Sequence, residues 1–220
     1  MTAVLAIVGV HLAFSVLSGR LGPTTDGGNM AALGGTLSIL ALVFVFQRAL
    51  GLALGEIGLK RPASWPRTIL LGVMVAIASQ AVALGAMTYL IDPLINAEAP
   101  DVSRFNAVKG NLKVLLTMVP TVWLTSAFPE EVIWRGFLMT RVAKLGGGSR
   151  SAWGMALVLT SVHFGLIHFY QGVSGMVGTG IMGFLYGLAF LLFGRNLWVV
   201  IVAHAASHVL SFTAMYLGLV

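Results

Sequence analysis

The sequence predicts an all-α fold, a polytopic transmembrane bundle of about seven spanning helices, and three observations carry that prediction. Only 9% of the 220 residues are charged, 58% are apolar, and the mean hydropathy is +0.94. A soluble domain carries roughly 25% charged and 45–50% apolar residues, so an ordinary cytosolic globule, a disordered tail and a nucleic-acid binder are all excluded. Second, the charges leave long gaps: Asp, Glu, Lys and Arg are missing from residues 1–19, 27–47, 68–91, 114–129, 151–194 and 196–220. A helix needs about 20 apolar residues to cross the hydrocarbon core. Third, these runs do not alternate between polar and apolar, which a β-barrel strand would do. In lipid, every backbone polar group must then be satisfied within helices.

Taken in order, the spans fall at about 2–18, 30–52, 68–91, 112–128 with continuation to 143, 151–169, 175–193 and 197–218. The first run lacks the basic start of a signal peptide and is long for one, so it reads as a spanning helix. His11 is alone in it and reads as structural. The run from Ser151 to Gly194 is long enough for two crossings, with a polar break at Tyr170-Gln171-Gly172. Asp92–Lys113, with Pro93 and Pro100, is the only sizeable extramembrane loop expected. No repeat or linker divides the chain, so residues 1–220 form one membrane domain.

Loop charges suggest the orientation. Arg48, Lys60, Arg61 and Arg67 stand against Glu56 alone, and Arg141, Lys144 and Arg150 form a second basic cluster. Basic residues accumulate in cytoplasmic loops. This puts the amino terminus and both clusters in the cytoplasm and the carboxyl terminus outside. The net charge of +6 has that topological origin and implies no nucleic-acid partner. The chain has no cysteine, which excludes disulfides, thiol nucleophiles and thiolate metal sites.

Ionisable groups at membrane depth are functional candidates by default. Glu130, Glu131 and Arg135 follow an apolar run; His163 and His168 lie on one apolar stretch, and His204 and His208 on another. Residues four apart share a helix face, so Glu131 can pair with Arg135 and His204 can stack with His208. Glu130 points about 100° away from Glu131 and is free for other work. A carboxylate beside an imidazole can take a proton from water as general base and return it to a leaving amine. Two imidazoles facing the developing oxyanion can stabilise it.

Structural readings stand beside these. Two acids after Pro129 suit the first turn of a helix restarting at an interface. His163 reads as a packing residue. Gly172-Val-Ser174-Gly175 with His204 hints at a serine protease of the rhomboid type, but small residues at that spacing equally permit close helix packing. His168, His204, His208 and Glu130 are acceptable zinc ligands, although no His-Glu-x-x-His segment is present. The expected metal and cofactor content is none. Depth poses one difficulty. At 1.5 Å per residue His168 lies ~27 Å from its cytoplasmic helix start and His204 only ~12 Å from its own. A break near Gly165, a kink at Pro129 or a deeper helix start would reconcile them.

At these residues the chain resembles the CAAX-protease and bacteriocin-processing membrane peptidases, also called the Abi family. Glu130-Glu131-Val-Ile-Trp-Arg135 matches the family's Glu-Glu-x-x-x-Arg, and Phe164-Gly-Leu-Ile-His168 its Phe-x-x-x-His. Tyr170-Gln171-Gly172 and Leu185-Tyr186-Gly187-Leu188 are also typical. Leu197-Trp198 followed by His204-Ala-Ala-Ser-His208 matches the last motif, except that His208 stands where Asn or Asp is usual. The resemblance covers about 112–212. It implies a glutamate-dependent intramembrane endopeptidase acting without cofactor on membrane-associated proteins or peptides, in the plasma (inner) membrane of a prokaryote. By analogy Glu130 and His168 activate water, His204 and His208 serve the oxyanion, and Glu131 with Arg135 supports the site. The alternatives are a non-catalytic immunity factor or scaffold, and a zinc-dependent membrane protease.

Overall fold

The computed structural model describes residues 1–21, 26–96 and 98–219, without the side chains of several residues of the first two helices. The described residues are helical, with no strand among them. They form seven rods: α1 (Thr2–Leu21), α2 (Asp26–Ala49), α3 (Trp65–Ile95), α4 (Leu112–Leu145), α5 (Arg150–Leu166), α6 (Gly172–Leu192) and α7 (Leu197–Leu217). Among the described residues, four stretches are long and apolar enough to cross a membrane: Trp65–Ile95, Leu112–Leu145, Phe169–Leu192 and Leu197–Leu217. The all-helical membrane fold is as the sequence predicts, with fewer qualifying spans than its count of about seven. The side chain of His11 and part of the α1–α2 connection lie outside the described residues.

Local chemistry sets several of the helix starts. Ser64, Asn111, Ser149 and Asn196 each cap one, their side-chain oxygens accepting from the backbone N–H of Arg67, Val114, Ala152 and Trp198. Inside α4, Pro120 and Pro129 each lack the N–H that an α-helix requires. The rod nevertheless continues, because it widens into π-turns over Trp123–Ala127 and Val132–Met139. Thr117, Thr121 and Thr125 hydroxyls donate to carbonyls of the preceding turn along the same stretch. No helix restarts at Pro129. The reading of Glu130 and Glu131 as first-turn acids of a new interfacial helix is therefore set aside.

Helices α1 and α2, α3 and α7, and α5 and α6 pack along one another. Small residues allow the closest approaches. A Cβ on Gly72 would lie 2.5 Å from Val202 of α7, and one on Gly165 would lie 2.5 Å from the Met176 carbonyl oxygen of α6. The second neighbour is backbone and cannot rotate away. Gly165→Ala should therefore force α5 and α6 apart and cost about 1–3 kcal/mol, read as a lower midpoint in detergent unfolding. The main core gathers Trp134, Phe137, Tyr186, Phe190, Leu197 and Ile201 around the middle of α4. Many large apolar side chains remain exposed, among them Leu70, Met74, Leu84, Leu116, Leu124 and Leu166. Such a coat is tolerable only against lipid.

Both basic clusters lie at one end of the bundle. Lys144 Nζ meets Glu56 Oε2 at 2.8 Å, Lys60 Nζ donates to the Gly194 carbonyl at 3.2 Å, and Arg141 donates to Gln47. The hydrogen bond and positive charge of Lys144 hold the exposed Glu56 carboxyl below its usual range. The carboxyl-terminal end of α7 lies opposite, where Gly110 N–H donates to the Tyr216 carbonyl at 3.0 Å.

Residues 50–64 make a second long connection, beside the expected one after Asp92. Its 3-10 turn Leu54–Ile57 wedges against α4, with Ile57 fully buried and its carbonyl 2.9 Å from where a Gly136 Cβ would stand. The following Gly58 accepts from Leu197 N–H at 3.0 Å. Leu197 also packs on Gly136, which lies nine residues before the end of α4. Helix α7 thus starts roughly 13 Å inside the basic end, at 1.5 Å per residue. That deep start brings His204 and His208 to the level of Glu130 and answers the depth difficulty.

Candidate active site

The polar centre of the bundle is assembled from α4, the turn after α5, α6 and α7. Glu131 is completely buried, and its Oε1 accepts two hydrogen bonds at 2.7 Å, from Arg135 Nη1 one helical turn on and from His204 Nδ1 of α7. Arg135, only 3% exposed, also donates from Nη2 to the Gly183 carbonyl of α6 at 3.0 Å. Its guanidinium lies between two rings, 4.8 Å from the Phe164 centroid and 5.6 Å from that of Tyr186. This arginine therefore ties α4 to α5 and α6 while compensating a buried carboxylate. The pairing of Glu131 with Arg135 follows from their four-residue spacing. The further bond from Glu131 to His204 does not, since it depends on the register of α7 against α4.

Glu130 points elsewhere, as its helical offset requires. It is only partly buried. Its Oε1 accepts from Ser126 Oγ at 2.7 Å, one turn back along α4. Ser126 Oγ in turn lies 3.2 Å from His208 Nε2. His204, His168 and His208 all lie within electrostatic reach of the Glu130 carboxylate. The structure thus brings all four proposed reacting residues, Glu130, His168, His204 and His208, into one neighbourhood.

His168 reaches it from an unusual direction. Helix α5 ends at Leu166, and a short turn at Phe169–Gln171 leads into α6. The ring folds back over the last turn of α5, with Nδ1 2.7 Å from the Phe164 carbonyl oxygen. A carbonyl only accepts, so Nδ1 carries the hydrogen and Nε2 is left with a lone pair. The rings of Phe164 and Tyr170 hold it on two sides, at 4.8 and 5.8 Å between centroids.

On α7, His204 and His208 stack with centroids 4.8 Å apart and 26° between planes. The stack continues to Phe212 on one side and Tyr186 on the other. Tyr186 OH donates to Ser207 Oγ at 2.6 Å, fixing α6 against α7 beside the imidazoles. His163 sits edge-on to Trp134 at 4.9 Å, in keeping with its reading as a packing residue. Ser174 is buried and donates to Asp92 Oδ1 at 2.9 Å, so its hydroxyl serves the α3–α6 contact and makes no dyad with His204.

Ser126 was not anticipated from the sequence. Its signal was available, because Ser126 and Glu130 are four apart on one helix, but a serine at that spacing is too common to single out. Among the described residues, no group of three or more His, Asp or Glu side chains has the arrangement to hold a metal ion. The zinc alternative finds no donor set among them. Chemically, the arrangement offers a partly accessible carboxylate, an imidazole with a free lone pair, and a second imidazole locked to a buried acid.

No curated protein and no solved structure matches the chain. One family model does, over the stretch that supplies Glu130, Glu131, Arg135, His168, His204 and His208, and in agreement with the motifs that carry the resemblance. Residues 112–210 match the model of the Rce1-like family, described as type II CAAX prenyl endopeptidases.

Proposed function

We propose that the chain is a glutamate-dependent endopeptidase of the lipid bilayer that hydrolyses membrane-associated proteins or peptides without a covalent intermediate. The observation that supports this most is the division of labour between adjacent acids. Glu131 is fully buried with its Oε1 held by both Arg135 and His204, whereas Glu130 remains partly accessible among three imidazoles. A water between Glu130 and His168 loses its proton to the carboxylate while His168 Nε2 orients it by accepting its other hydrogen. The resulting hydroxide attacks the peptide carbonyl. Glu130 then passes the proton to the departing amine, as a general base must to complete hydrolysis.

The oxyanion falls to His204. Its Nδ1 is committed to Glu131, so donation from Nε2 requires the doubly protonated ring. That extra charge is matched locally. Glu130 and Glu131 supply two negative charges, and Arg135 with an imidazolium supplies two positive ones. A donor fixed in advance at the place where charge develops is worth a factor of about 10²–10³ in rate. In the cell, the basic end of the bundle faces the cytoplasm of a prokaryote, and substrate reaches the centre from the plane of the membrane.

The test is cleavage in reconstituted vesicles of two quenched-fluorescence peptides: one ending in a prenylated Cys-aliphatic-aliphatic-X sequence, the other an unlipidated spanning peptide. Cleavage of either, with no acyl group captured by hydroxylamine, agrees with the proposal. Inertness of folded protein toward both would instead favour a non-catalytic membrane role.

A further inference from the structure

We propose that Ser126 is a positioning residue whose single hydroxyl couples Glu130 to His208 and fixes the tautomer of that histidine. The inference rests on the peptidase reading for its kinetic consequences, but its geometry stands apart from it. A serine hydroxyl has one hydrogen and two lone pairs. Ser126 Oγ lies 2.7 Å from Glu130 Oε1, and an ionised carboxylate can only accept, so the hydroxyl hydrogen is spent there. The contact of 3.2 Å between Ser126 Oγ and His208 Nε2 must then run the other way, with the ring N–H donating to the serine oxygen. Nε2 of His208 therefore carries the hydrogen, and the neutral ring is held as the Nε2–H tautomer rather than the Nδ1–H one.

Two consequences follow. The first concerns the carboxylate. With Oε1 of Glu130 bound, the side chain is fixed and Oε2 is the oxygen left to meet water. The second revises the role expected of His208 from the resemblance. Its one donor is engaged by Ser126, so it is not a ready oxyanion donor, and His204 carries that duty alone. In the position where the resembled family has Asn or Asp, this chain carries a longer side chain that reaches across α4 and α7 to a serine.

Two readouts on full-length protein in lipid test this. Imidazole ¹⁵N shifts of histidine-labelled protein, with His208 assigned by its loss in His208→Asn, should show the Nε2–H tautomer. Ser126→Ala should collapse that preference into a mixture. In the peptide assay Ser126→Ala should lower kcat roughly 10- to 100-fold, the worth of a hydrogen bond to a charged group, with KM within twofold. Ser126→Thr, which keeps the hydroxyl, should restore both. An unchanged His208 signal in Ser126→Ala, or wild-type kcat in that variant, would overturn the proposal. Covalent labelling of Ser126 by a fluorophosphonate would also overturn it, by making the serine a nucleophile. If the wild type cleaves neither peptide, the peptidase reading fails while the ¹⁵N measurement still decides the hydrogen-bond assignment.

Discussion

Glu130→Gln is expected to lower kcat by about 10²–10⁴-fold while leaving expression, unfolding midpoint and KM close to wild type. In the proposed step the carboxylate takes the proton from water and hands it to the leaving amine. Glutamine keeps the shape and can still accept from Ser126, so the α4–α7 contact survives. What it lacks is an oxygen that can bind a proton and release it. Glu131→Gln provides the contrast. Its carboxylate is fully buried and neutralises Arg135, so losing its charge should weaken folding as well as rate. Equal kinetic and stability losses from both variants would argue that Glu130 is structural.

Arg135→Ala should cause the largest loss of stability of any single change in the centre, about 3–5 kcal/mol, the usual consequence of stranding one member of a buried ion pair. Four contacts go at once. Glu131 loses one of its two donors, the Gly183 carbonyl of α6 loses its side-chain partner, and the rings of Phe164 and Tyr186 lose the cation between them. Glu131 would then be left buried with His204 as its one remaining partner. Detergent-induced unfolding of purified protein checks this, with activity falling in proportion to the unfolded fraction. Arg135→Lys should recover only part of the loss, because an ammonium cannot place parallel donors on Glu131 and Gly183 or stack between two rings.

The sequence makes the helical membrane fold legible because charge is so scarce that each charge-free run stands out. Glu131 with Arg135 and His204 with His208 are legible for a related reason: four-residue spacing within one helix needs no knowledge of the fold. What is hidden depends on register between helices. The deep start of α7 is set by Leu197 packing on Gly136 and bonding to Gly58, contacts of distant segments that no local pattern announces. Without it the two imidazole pairs stand at unequal depths. The passage of α4 through Pro129 is hidden too, since a proline followed by two acids has the look of a helix start. Only the wide turns beside it allow one rod to carry both Ser126 and Glu130. The bond from His204 to Glu131 and the link from Ser126 to His208 then follow from geometry alone.

Central to the mechanism is that Glu130 and His168 act on one water molecule. A double-mutant cycle measures this most directly. The rates of Glu130→Gln, His168→Ala and the combined variant are compared under single-turnover conditions in vesicles, with folding checked for each. Residues that serve one step as a unit lose their effect together. The double variant should therefore be no slower than about twofold below the more damaged single variant. Losses that multiply, so that each change costs the same factor in the presence and absence of the other, would show two independent contributions and contradict a shared water.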